Sequence, residues 1–160
     1  MYEALLPSPI GPLYVAADNT GLTKLYTDGH RFHANAGPDD GHFTVLARQL
    51  DEYFAGERTG FDIALSEHGT PFELDVWSAL RRIPYGETRS YGELAREVGS
   101  VARAVGRANG RNQISIIVPC HRVIGADGSL TGYAGGLDAK RALLEHEQGV
   151  GSLYGVPQPR

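Results

Sequence analysis

One cysteine, Cys120, stands in 160 residues. A lone thiol forms no internal disulfide and supplies no multi-cysteine zinc site. No stretch approaches the ~18 apolar residues of a membrane span. The opening Met1-Tyr2-Glu3-Ala4-Leu5-Leu6-Pro7 lacks the basic-then-apolar order of a signal peptide. With neither an export signal nor a cysteine pair, a reducing cytoplasm is the expected compartment. Internal repeats and low-complexity tracts are also missing. Lysine is absent between Arg81 and Arg122, where eight arginines face three glutamates, a local balance of +5 in a chain whose net charge is −4. One basic face on an acidic body is the footprint expected of a polyanion partner, and arginine suits bidentate phosphate contact better than lysine.

Cys120 itself lies in Pro119-Cys120-His121-Arg122-Val123, directly after the apolar run Ile114–Val118. A single buried thiol is more often inert than nucleophilic. Here a histidine and an arginine follow at once, and both neighbour types favour thiolate. The apolar run reads as a strand, which Pro119 would end, bringing the sulfur to the rim of a sheet.

The first part reads as β-rich. Leu13–Ala17 and Gly21–Thr27 are short strands joined by the turn Asp18-Asn19-Thr20, and Phe61–Leu65 is a further strand. Between the hairpin and that strand, Phe43, Leu46, Leu50, Tyr53 and Phe54 recur at helical spacing, with Gly56 as a stop. The preceding loop holds His30, His33 and His42; surface histidines without cysteine among them give no metal site. Ser66–Gly69 reads as a linker.

The second part is helical. Thr70-Pro71-Phe72-Glu73 and Ser90-Tyr91-Gly92-Glu93 are capping boxes, and Pro84-Tyr85-Gly86 and Gly99 are stops. Ser100 is expected to cap a third helix, with Val101, Ala104, Val105 and Ala108 inward and Arg103 and Arg107 outward. Ala102, Gly106 and Gly110 are small. A glycine in a helix costs about 1 kcal/mol relative to alanine, and close approach to another backbone would justify it. Two capped helices around a glycine turn read as a helix-turn-helix. A glycine-rich loop, Gly125–Gly136, and a last helix from Leu137 to Glu147 follow, and Gly149–Arg160 reads as a mobile tail. The expected architecture is α+β: a β-rich N-terminal domain over 1–68, a helical domain with the helix-turn-helix and the cysteine over 69–149, and a tail over 150–160.

Taken in order, Ile83-Pro84-Tyr85-Gly86-Glu87-Thr88, Ser90-Tyr91-Gly92, Arg103-Ala104-Val105-Gly106, Pro119-Cys120-His121-Arg122-Val123 and Gly132-Tyr133-Ala134-Gly135-Gly136-Leu137 resemble the O6-alkylguanine-DNA alkyltransferases. Ser8-Pro9-Ile10-Gly11-Pro12-Leu13 and Tyr53-Phe54-Ala55-Gly56-Glu57 extend the likeness into the first part. The resemblance implies a monomeric DNA repair protein that binds the minor groove of double-stranded DNA, flips out an alkylated guanine (or O4-alkylthymine) and takes the alkyl group onto its own cysteine, with no cofactor and no metal. It implies Cys120 as acceptor, His121 as proton acceptor through a water, Glu147 as the acid holding that histidine, Asn112 as a hinge, and Tyr91 as a donor to the guanine ring. Val123, Tyr133 and Ala134 would line the base. Arg103 would fill the vacated stack, with Ala102, Gly106, Arg107 and Arg111 on the DNA-binding face. Two positions depart from the family pattern: Gln113 replaces a proline, and the turn Val98-Gly99-Ser100-Val101 is short.

Three functions fit these residues to different degrees. Alkyl transfer uses all of them. A lesion sensor of the same fold would bind without an acceptor cysteine, which Cys120 supplies. A cysteine hydrolase would leave the basic window and the helix-turn-helix without a role. Transfer to a thiol gives a thioether, and no second cysteine can resolve it, so each molecule acts once.

Overall fold

The computed structural model describes residues 1–28, 41–133 and 136–149. His30, His33, Ala134 and the tail 150–160 lie outside the described residues. Strands β1 (Tyr2–Leu6), β2 (Leu13–Ala17) and β3 (Leu22–Tyr26) form an antiparallel sheet in that order. The hairpin turn is closed by Asp18 Oδ1, which accepts from the Thr20 and Gly21 amides at 2.8 and 3.0 Å. Gly21 is required by crowding: a Cβ there would come within 2.5 Å of the Ala64 carbonyl oxygen.

The free edge of β3 explains two corrections to the sequence reading. At Leu22 it bonds to the segment 64–66, through Leu22 N–H to Ala64 O at 2.9 Å and Ser66 N–H to Leu22 O at 2.8 Å. At Leu25 it bonds to 113–115, through Leu25 N–H to Gln113 O at 2.8 Å and Ser115 N–H to Leu25 O at 2.9 Å. Five residues of edge are shared between two segments, so each gains one parallel bridge and neither becomes a strand. The stretches 61–65 and 114–118, both expected as strands, are therefore irregular chain pinned at one point.

Helix α1 (Thr44–Phe54) buries Leu46, Leu50, Tyr53 and Phe54. Helices α2 (Pro71–Arg81) and α3 (Tyr91–Val98) begin at the two capping boxes, and both reciprocal bonds are present in each. Gly99 takes the left-handed conformation (φ 71°) that ends α3, and Ser100 N–H returns to Ala95 O at 2.8 Å. Ser100 is thus absorbed by the end of α3. The N-cap of helix α4 (Ala102–Gly110) is Val101, which offers no capping side chain and is 65% exposed instead of packed inward. The short strands β4 (Arg89–Ser90) and β5 (Val123–Ile124) pair in parallel, and α5 (Leu137–Gln148) closes the fold. One cluster of buried apolar side chains runs from Leu13 and Val15 of the sheet through Leu50 and Tyr53 to Val76, Leu80, Leu94, Val105, Val118 and Leu143. Each such side chain contributes roughly 1.5–3 kcal/mol by leaving water. Among the described residues no helix is long and apolar enough to cross a membrane, and no group of His, Cys, Asp and Glu could hold a metal ion.

Candidate functional site

Cys120 opens a 3-10 turn, Cys120–Arg122, in which its own amide donates to Val118 O at 2.8 Å and the Arg122 amide to Pro119 O at 3.0 Å. The approach to this turn doubles back on itself. Asn112 holds the reversal from inside: its Nδ2 donates to Val118 O at 2.8 Å, and its Oδ1 accepts from the Ile114 amide at 3.0 Å. Ile116, at φ 72°, is in the left-handed region that a β-branched residue rarely enters. From the other side Asn109 of α4 donates to Cys120 O at 3.3 Å.

Around the turn lies a buried ionic cluster. His121 is wholly buried, and its Nε2 lies 2.8 Å from Glu147 Oε2. Arg122 donates through Nε to Glu147 Oε1 at 2.7 Å and through a terminal nitrogen to Oε2 at 2.9 Å, and its other terminal nitrogen reaches Ile83 O at 2.7 Å. Tyr53 of α1 adds a fourth contact, donating its hydroxyl to Glu147 Oε2 at 2.7 Å. Burial resists ionisation of Glu147, but His121 and Arg122 outweigh it and hold the carboxyl well below the usual range. Burial pushes the His121 imidazole down despite Glu147, so it rests neutral at neutral pH. Its Nδ1 is buried and has no hydrogen-bond partner among the described residues.

The expectation that His121 and Arg122 favour a thiolate at rest is corrected here. Both side chains turn away to Glu147, and Cys120 is only 5% exposed. Burial pushes its thiol up, against smaller opposing effects of Asn112, Ser115 and Lys140. The resting state is the thiol.

Lys140 escaped the sequence reading. It is fully buried on α5, donating to Val123 O at 2.6 Å and Thr131 O at 2.7 Å. Burial lowers its pKa, and the charge of Cys120 works the other way. The spacing of Lys140, Leu143, Leu144 and Glu147 places all four on one helical face, and all four are buried; this was a legible signal. Tyr53 sits in the apolar stripe of α1, and nothing in that stripe marks its hydroxyl as functional.

The remaining candidates are placed as follows. Tyr91 lies at the start of α3 with its hydroxyl donating to Thr131 O at 3.0 Å. The Val123 carbonyl faces Lys140. Tyr133 is half-buried, and among the described residues its buried hydroxyl makes no hydrogen bond of normal geometry. On α4, Ala102, Arg103 and Arg107 are exposed, and Gly106 is half-buried.

The basic window is largely internal to the fold. Arg81, Arg82, Arg89, Arg111 and Arg122 pair with Glu67, Glu97, Glu87, Glu73 and Glu147. Arg103 and Arg107 have no carboxylate partner among the described residues. The glycines of α4 are not explained by a neighbouring backbone, contrary to expectation. A Cβ at Gly106 would meet the Tyr91 ring at 3.7 Å, an ordinary contact, and one at Gly110 would meet nothing within 4 Å. The fold leaves this helix small, cationic and open on its outer side.

Two family models match the chain. Residues 1–66 match the 6-O-methylguanine DNA methyltransferase, ribonuclease-like domain, and residues 71–149 match the 6-O-methylguanine DNA methyltransferase, DNA binding domain. The methylated-DNA–protein-cysteine methyltransferase of Mycobacterium tuberculosis is 54% identical over 148 residues, covering 89% of this chain and 90% of that protein. The protein of the same name from Methanosarcina acetivorans is 51% identical over 155 residues, covering 92% and 98%. Among solved structures, Mycobacterium tuberculosis OGT in complex with DNA superposes with a TM-score of 0.85 at 53% identity, covering 92% of this chain and 93% of that one. Both halves match consecutive models of one family, and the chain belongs to the 6-O-methylguanine DNA methyltransferases.

Proposed function

We propose that this chain is a DNA repair protein, a methylated-DNA–protein-cysteine methyltransferase that moves the alkyl group of O6-alkylguanine, and of O4-alkylthymine, from double-stranded DNA to its own Cys120, once per molecule. The observation that carries this reading is the placement of the lone thiol one residue from a buried His121–Glu147 pair whose Nδ1 is unoccupied by protein. The same chain presents a helix on which Arg103 and Arg107 have no carboxylate partner among the described residues. Residues 69–149 hold both features, and residues 1–68 buttress them.

In this mechanism α4 docks in the minor groove with Ala102, Gly106, Arg107 and Arg111 at the DNA. The target base is extruded, a step costing a few kcal/mol, and Arg103 fills the gap. The base lies between Tyr133 and the chain at Val123 and Ala134. The thiol proton passes to His121 Nδ1 through a bridging water. Glu147, fixed by Tyr53 and Arg122, stabilises the imidazolium that results. Cys120 Sγ forms its bond to the alkyl carbon as the carbon–O6 bond breaks, and the electron pair leaves with guanine. Tyr91 turns from Thr131 to donate a hydrogen bond to the guanine ring as that charge develops, and the thiol's proton, released by His121 through solvent, completes the neutral base. Asn112 keeps the approach segment in place throughout. Because the thiol rests protonated, deprotonation is tied to a bound lesion and the sulfur is protected from stray electrophiles. Before transfer the protein needs a reducing compartment only to keep its thiol free, which suits the cytoplasm.

Incubation with O6-benzylguanine followed by intact-mass measurement tests the reading. One benzyl group per molecule, located on Cys120, is the expected result. An unchanged mass, or release of more than one equivalent of guanine, would overturn it.

A further inference from the structure

We infer that Thr27, from the N-terminal sheet, is a positioning residue for the acceptor site, joining Tyr133 and Ser115 in a cluster of hydroxyls that hydrogen-bonds Cys120 Sγ as its proton leaves. The inference rests on Cys120 being the acceptor. It starts from the shared edge of β3: the bonds at Leu25 hold 113–115 against the N-terminal sheet, and Thr27 lies just past the end of that strand. Thr27 is 7% exposed. Among the described residues its Oγ1 is buried without a hydrogen bond of normal geometry, and so is Tyr133 Oη. The Tyr133 hydroxyl lies beside those of Ser115 and Thr27, and Ser115 lies beside the thiol. Two unpartnered hydroxyls in one place are a rare arrangement in a folded interior, where buried polar groups are almost always bonded.

The thiolate gives them something to bond. His121 and Arg122 are committed to Glu147, so the groups facing Sγ are Lys140 from α5, Asn112 and Ser115 from the approach segment, and Tyr133 from the following loop. Each hydroxyl donates one hydrogen and can accept another. When Sγ becomes an anion, Ser115 donates to it, Tyr133 donates to Ser115, and Thr27 donates to Tyr133. Such a chain polarises along its length. It links residues 1–28 to the chemistry, a part otherwise engaged in packing.

Thr27→Val keeps the side chain's shape and removes its hydroxyl, and Thr27→Ser restores a hydroxyl. The lone cysteine makes iodoacetamide labelling an unambiguous report on Cys120 across pH. The expected result for Thr27→Val is a labelling midpoint raised by about half a pH unit and a roughly 3-fold slower benzyl transfer at neutral pH, with Thr27→Ser returning both. A folded Thr27→Val protein with the wild-type midpoint would overturn the inference. If Thr27→Val does not fold, Tyr133→Phe carries the test, with the same upward shift expected and an unchanged midpoint overturning it. Failure of the repair reading looks different: wild-type protein would not accept benzyl, whatever the labelling midpoints do.

Discussion

The interior around Glu147 and the outer side of α4 are built on opposite terms. In the interior, Tyr53, His121 and Arg122 from two distant stretches converge on one carboxylate, and both of its oxygens are bonded. On α4 there is no capping side chain, two glycines lack a packing reason, and Arg103 and Arg107 meet no acid among the described residues. Helix α3, immediately before it, shows how the same chain finishes the ends of a packed helix: a complete capping box and a left-handed glycine stop. The contrast teaches that α4 is left open by the fold, as a surface that meets a partner would be, whereas the carboxylate behind the acceptor is fully bonded in advance.

Substitutions should separate the two regions. Cys120→Ser has the largest expected effect: alkyl transfer disappears in the intact-mass measurement, while duplex affinity in a gel-shift titration stays near wild type. Next is Glu147→Gln, which leaves Arg122 without its counter-charge and His121 without the carboxylate that would stabilise its imidazolium. Breaking a buried ion pair costs about 3–5 kcal/mol, so denaturant unfolding should shift strongly. Transfer should fall alike on free benzylguanine and on duplex DNA. Arg103→Ala should do the reverse, slowing repair in duplex DNA far more than reaction with the free base; equal losses would remove its role in the stack. Gly106→Ala should raise the thermal midpoint by up to about 1 kcal/mol worth of helix propensity, because the added methyl finds only ordinary contact with Tyr91. A lowered midpoint would mean that the Tyr91 ring cannot give way. The smallest effect belongs to Gln113→Pro. Among the described residues Gln113 contributes its carbonyl to Leu25, no hydrogen bond uses its amide, and the flanking Asn112 and Ile114 already close a turn. A gain of about 0.4–1 kcal/mol in a thermal melt is expected.

Much of the helical part was legible because its signals are local. The capping boxes at Thr70 and Ser90, the stop at Gly99 and the hairpin turn at Asp18 each act within four residues of chain. The failures are long-range. Neither 61–65 nor 114–118 carries any mark that both compete for the edge of β3. Adjacency in sequence suggested that His121 and Arg122 hold a thiolate at rest, but a 3-10 turn points successive side chains apart, and Glu147, 25 residues on from Arg122, engages Arg122 and the Nε2 of His121. Glu147 and Tyr91 were assigned roles only through family resemblance, since by themselves a helix-end glutamate and a helix-start tyrosine are unremarkable. Lys140 was readable from its spacing with Leu143, Leu144 and Glu147. A lysine at a core position invites dismissal as a solvated charge, and only its two carbonyl partners explain its burial.

Trp77, the single tryptophan, is packed over Gly69, where a Cβ would stand 2.6 Å from its ring, and donates its indole N–H to Ala108 O of α4 at 2.9 Å. The chain therefore carries its own optical probe. Emission excited at the indole band comes from one residue whose polar contact is the backbone of α4. Any tilt of that helix on DNA, or after the sulfur gains an alkyl group, should register as a wavelength or intensity change without a label.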